Sequence, residues 1–197
     1  MKHFAIFLVI LTMVLAGCIQ FSLVEPTRTM IGDLYSVEPQ IQWNSNKNGK
    51  YEVWTVDGLG LQRLQFINGI EDKETIFEGK KEYEKLIFKK SMTASEVMDL
   101  YVANLTADGA RKVVTQNLKP NQFGNHSGFR FDLNFVNKEG LEWNGTVVGA
   151  VINGKLYLIS YAGARAHYFT KYKPEVERIF QSIKGTKSET DLISLKN

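Results

Sequence analysis

The 197-residue chain carries one cysteine, Cys18, and three histidines, His3, His126 and His167. These few residues bound the chemistry open to it. A single thiol forbids an intramolecular disulfide and any cysteine-cluster metal site. A zinc centre of histidines and carboxylates needs several ligands converging, and neither His126 nor His167 has a second histidine or cysteine at a ligand spacing, so no metal and no cofactor is expected. His126-Ser127 sit side by side in a glycine-bounded turn, without the pattern of a nucleophile elbow. Gly58-Leu59-Gly60 lacks the third glycine and the following helix of a phosphate-binding loop, and reads as a strand-to-strand turn. General acid and base chemistry would have to come from Asp132, Glu142 and His126 converging in one pocket, as in a hydrolase. What remains is Cys18 itself, a soft nucleophile that is readily alkylated as the thiolate.

The surroundings of Cys18 give that thiol a use. Lys2 is followed by an apolar run from Phe4 to Ala16 broken only by Thr12. As a helix the run would span roughly 20 Å, short of the roughly 30 Å hydrocarbon core, so it reads as a secretory signal peptide and not as a membrane span. Leu15-Ala16-Gly17-Cys18 then resembles the lipobox of bacterial lipoproteins. That resemblance implies a diacylglycerol thioether on the Cys18 sulfur, cleavage between Gly17 and Cys18, and acylation of the new amino group. Two or three acyl chains make an effectively permanent anchor. Ile19, where inner-membrane retention is associated with Asp, implies the outer membrane facing the periplasm.

Removing residues 1–17 leaves 180 residues and a side-chain balance of +2. Near-neutral charge gives no broad basic field, so nucleic acid is not an expected partner. With 44% hydrophobic and 12% aromatic residues, the mature chain has material for one ordinary core. The expected organisation is a signal peptide over 1–17, a lipidated tether over 18–34, one globular domain over 35–185 and a loose tail over 186–197.

Within that domain, alternation predicts strands from Tyr35 to Trp43, Tyr51 to Asp57 and Leu61 to Ile67, with a turn over Asn44 to Gly49. Asn68 to Lys90, rich in charge, reads as a long solvated excursion. Thr93 and Glu96 have the spacing of a capping box, opening a helix whose apolar face is Ala94, Val97, Met98, Tyr101 and Leu105 and which stops at Asp108-Gly109. Ala110 to Phe123 reads as a strand or bent strand pair, and Phe129, Phe131, Leu133 and Phe135 as one face of the next. Asn153-Gly154 marks a type I′ hairpin between Leu141 to Ile152 and Lys155 to Ala162.

Placing Asn153-Gly154 at the two-residue loop pairs Val151 with Leu156, Gly149 with Leu158 and Val147 with Ser160 on one face. Ala150 with Tyr157 and Val148 with Ile159 occupy the other. Both faces are apolar, which demands cover on both sides. The second cover is a closing helix with Pro174 in its first turn, Glu175 and Glu177 complementing its dipole, and Val176, Ile179, Phe180 and Ile183 as its stripe. The expected fold is α+β: a mainly antiparallel sheet with a helix on each face, an α/β/α sandwich.

The Thr93 to Asp108 helix, the Asn153-Gly154 hairpin, Tyr157-Leu158-Ile159-Ser160-Tyr161 and the ending Ile179-Phe180-Gln181-Ser182-Ile183 together resemble the PsbP-like group of α/β/α sandwiches. That resemblance implies a role in binding, scaffolding or assembly. Arg165, His167, Tyr168, Lys171 and Tyr172 alternate cationic and aromatic groups that could meet an anionic headgroup, a glycan or a partner protein. Alternatively, the aromatics pack under the crossover while the cations point to water. The expected function is a non-enzymatic, lipid-anchored envelope protein that binds a partner or assists assembly. A periplasmic small-ligand or lipid carrier is the alternative.

Overall fold

The computed structural model describes residues 21–77 and 85–185. The signal segment, Cys18 and the 186–197 tail lie outside the described residues. The elements are β1 (Ser22–Val24), β2 (Thr29–Ile31), β3 (Tyr35–Val37), β4 (Trp43–Asn48), β5 (Tyr51–Thr55), β6 (Gln62–Ile70), α1 (Ala94–Ala107), β7 (Arg111–Phe123), β8 (His126–Val136), β9 (Glu142–Ile152), β10 (Lys155–Ala164), α2 (Tyr168–Gln181) and β11 (Lys184–Gly185). Eight strands form one sheet in the order β1-β4-β5-β6-β10-β9-β8-β7, every described pairing antiparallel. A second sheet of three short strands has the order β11-β3-β2.

The central hairpin has the register its two apolar faces require. Val151 faces Leu156, Gly149 faces Leu158 and Val148 faces Ile159. Asn153 and Gly154 both have positive φ, 52° and 77°, as the tight turn needs. Val147, Leu156 and Leu158 enter a core beneath α1, with Val97, Leu105, Phe131 and Leu133. Val148, Ala150 and Ile159 enter a second core beneath α2, with Trp43, Trp54, Val176 and Ile179. Each large apolar side chain so buried contributes about 1.5–3 kcal/mol. The α/β/α sandwich is therefore a direct consequence of a hairpin with no solvent face.

α1 starts as its sequence requires. The Thr93 hydroxyl accepts from the Glu96 N–H and the Glu96 side chain accepts from the Thr93 N–H. At its other end Gly109 adopts a φ of +102°.

Several elements differ from expectation. Residues 21–34 are not free tether: β1 pairs with β4 and β2 with β3, so the folded part begins before Tyr35. The strand expected from Tyr35 to Trp43 is two strands in different sheets, and the expected turn at Asn44 is strand as far as Asn48. Its polar residues are tolerated because one face of β4 is uncovered. The excursion after Asn68 is not simply solvated, since β6 continues to Ile70, Thr75 bridges Ile87, and Ile76 and Phe88 are buried in the α1 core. β7 is one strand bent at two bulges, where Lys112 and Asn117 take positive φ. α2 begins at Tyr168, so Pro174 lies inside it and not in its first turn.

The two acids assigned to the α2 dipole have other partners. Glu175 is 4% exposed and accepts from the Gln40 N–H at 2.6 Å. Glu177 takes both arms of the Arg130 guanidinium, at 2.7 and 2.5 Å, and so clamps α2 to β8.

Candidate functional site: a groove beside the first helix

Asp132, Glu142 and His126 do not converge. Asp132 points to the α2 face, accepting from Thr146 at 2.7 Å and Asn117 at 3.0 Å. Glu142 begins β9 and pairs with Arg165 at 3.0 Å. His126 begins β8, six residues from Asp132, roughly 20 Å along an extended strand. Among the described residues no group of three or more His, Cys, Asp or Glu could hold a metal ion.

The segment from Arg165 to Tyr172 forms the crossover into α2. Its aromatics are drawn inward: Phe169 and Tyr172 are buried, and the Tyr161 hydroxyl donates to the Tyr168 and Phe169 carbonyls. Its cations stay at the surface, where Arg165 meets Glu142 and Lys171 meets Asp57 at 2.9 Å. His167 is exposed at the N-terminus of α2 without a side-chain capping bond. Asp57 also accepts from the Tyr172 hydroxyl at 2.6 Å. The Tyr172 and Lys171 hydrogen bonds hold the Asp57 carboxyl below the usual carboxylate range. Hydrogen bonds with Tyr172 and then Asp57 in turn raise Lys171.

The most developed concavity lies on the opposite face, between the C-terminal end of α1 and the sheet. It encloses about 440 Å³ and is walled by Leu59, Leu105, Phe135, Leu141 and Trp143, with Arg63 at its floor. A further space of about 300 Å³ continues from it past Tyr51, Gln65, Phe77 and Tyr101, sharing Arg63, Leu105 and Asp108 with the first. The strand register places the polar end. Arg63 on β6 pairs with Ala162 on β10, which pairs with Gly145 on β9, two residues beyond Trp143. The Arg63 guanidinium carbon lies 5.4 Å from the centre of the Trp143 ring. Trp143 also stacks on Phe135 at 6.1 Å. Its Nε1 is buried and has no hydrogen-bond partner among the described residues.

At the mouth, Leu141 keeps 40% of its surface exposed. Lys138 and Glu139 face each other on the rim at 3.9 Å, and Asp108 is exposed beside them. Deeper in, Tyr101 is buried and hydrogen-bonded to Ser160, and burial pushes its phenol up. Sequence reading missed Arg63 and Trp143. Arg63 alternates with Leu64 and Phe66 like any solvated strand residue, and only the register of three strands brings it to Trp143.

No protein-family model matches the chain, and no curated protein matches it by sequence. Among solved structures, its fold is similar to that of the cyanobacterial PsbP protein CyanoP from Synechocystis sp. PCC 6803, with a TM-score of 0.55 at 12% identity, over 87% of this chain and 95% of that one. A second similarity, to LpqN, involved in cell envelope biogenesis of Mycobacterium tuberculosis, has a TM-score of 0.39 at 8% identity over 88% of each chain, too low to argue from. The α+β sandwich with a PsbP-like arrangement is thus the fold of this chain.

Proposed function

We propose that the protein is a non-enzymatic, lipid-anchored envelope module, held through Cys18 in the outer membrane with its domain in the periplasm. The observation that carries this reading is the Leu15-Ala16-Gly17-Cys18 sequence directly after a 13-residue apolar run with one interruption. Its position supports the reading further: only Ile19, Gln20 and Phe21 separate Cys18 from β1, so an anchor there holds the domain close to the bilayer. Among the described residues no helix is long and apolar enough to cross a membrane.

Within that role, binding of a small ligand is favoured over pure assembly by the groove beside α1, whose volume falls in the range of small-ligand sites. Mass spectrometry of the mature amino terminus tests the anchor: a diacylglycerol-modified Cys18 is expected. Globomycin should cause an uncleaved precursor to accumulate. An unmodified Cys18, or no precursor, refutes the anchored role.

A further inference from the structure

We propose that the groove beside α1 binds a small organic monocarboxylate with an aromatic or branched apolar body, the carboxylate on Arg63 and the body against Trp143, Phe135 and the three leucines of the wall. The inference deepens the binding role given above and does not depend on the anchor.

The walls define the body of the ligand. Leu59, Leu105, Leu141, Phe135 and Trp143 offer apolar surface and two ring faces around about 440 Å³. Leu141 is among the few large apolar side chains that stay exposed, and a seated apolar body would cover it.

Arg63 defines the polar end. It is the cation common to both parts of the groove, and it is half-buried, so water screens its charge less than that of Lys138 on the rim. Its guanidinium carbon lies 5.4 Å from the Trp143 ring centre, and its forked N–H groups suit a planar, two-oxygen acceptor. One guanidinium balances one negative charge, which suits a carboxylate better than a phosphate dianion. Asp108 and Glu139, the acids nearest the mouth, are solvent-exposed, and Glu139 faces Lys138, so they oppose an anion only weakly.

The test uses the mature lipidated protein in phosphatidylcholine nanodiscs, with empty nanodiscs as baseline. Three probes of matched shape, 4-phenylbutyrate, 4-phenylbutanol and 4-phenylbutylammonium, are titrated by calorimetry and indole fluorescence. The expected result is that the carboxylate binds at least tenfold more tightly than the ammonium probe. Arg63→Met should bring the carboxylate to the level of the alcohol and leave the alcohol within twofold. Arg63→Lys, which keeps the charge without the fork, should give an intermediate preference. Trp143→Phe should remove the fluorescence response, because Trp43 and Trp54 lie in the core on the other face. Equal binding of the three probes, no binding of any, or a carboxylate preference that survives in both Arg63 variants overturns the proposal. None of these outcomes bears on the lipid at Cys18, which is read separately by mass spectrometry.

Discussion

Glu175 offers a sharp test of how the amino-terminal segment is held. Its side chain is buried on α2 and accepts the Gln40 N–H at 2.6 Å, with Arg178 at 3.4 Å on its solvent side. Replacing it with Ala leaves that N–H without an acceptor and removes one of the links between α2 and the stretch joining β3 to β4, the other being the Glu38 N–H donating to Ser182 Oγ at 2.8 Å. A hydrogen bond to a charged group contributes about 1.5–3 kcal/mol. For a chain of this size each kcal/mol corresponds to roughly 2–4 °C in Tm, so Glu175→Ala should unfold roughly 3–12 °C below wild type. Glu175→Gln keeps an acceptor oxygen and should recover about half of that loss. Differential scanning calorimetry gives the shifts, and amide hydrogen exchange locates them: Gln40 should lose protection in the Ala variant and keep most of it in the Gln variant. If both variants melt within 1 °C of wild type and the Gln40 amide exchanges unchanged, the buried carboxylate does not hold this segment.

Two further perturbations separate packing from charge. Gly149→Ala would set a methyl 2.7 Å from the Tyr157 carbonyl and 3.0 Å from the Phe129 ring, costing about 1–3 kcal/mol, whereas Gly60→Ala meets nothing within 4 Å. Thermal melts should therefore separate the two variants by several degrees, and equal melts would contradict the close approach of β8, β9 and β10. Asp57 is held below the ordinary carboxylate value, so its stabilisation is present above about pH 4 and is lost as pH falls through its folded pKa. Asp57→Asn should lower Tm at pH 7 and converge on wild type in acid; a gap constant from pH 7 to strong acid would show that the Tyr172 and Lys171 bonds do not stabilise the ionised form.

Much of the architecture was legible because it rests on local rules. The Asn153-Gly154 turn determines a register, the register determines two faces, and two apolar faces call for two covering layers, all of which the structure contains. The Thr93 and Glu96 capping box was legible for the same reason. What escaped depends on contacts distant in sequence. β1 and β2 are three residues each, too short for any periodicity, and exist only through β4 and β3. The start of α2 was masked by Pro174, which suits a first turn but here lies inside the helix. The groove is the extreme case, since Arg63 and Trp143 are eighty residues apart and meet only through the register of β6, β10 and β9.

With the proposed anchor at Cys18, the pairing of β1 with β4 would also set a height above the membrane. Ser22 faces Ser45, so β1 enters at the sheet end that carries the turns at Gly49, at Gly124 and at Asn153-Gly154. Cys18 precedes Ser22 by four residues, a span of at most about 14 Å. A domain tied down there stands on these hairpins. The mouth of the groove, framed by Leu59, Gly60 and the turn from Asn137 to Leu141, opens at the far end of strands about 35 Å long. On that proposed anchoring, a ligand would reach the groove through the aqueous space, so solubility in water, and not residence in the bilayer, would decide which molecules the protein can meet.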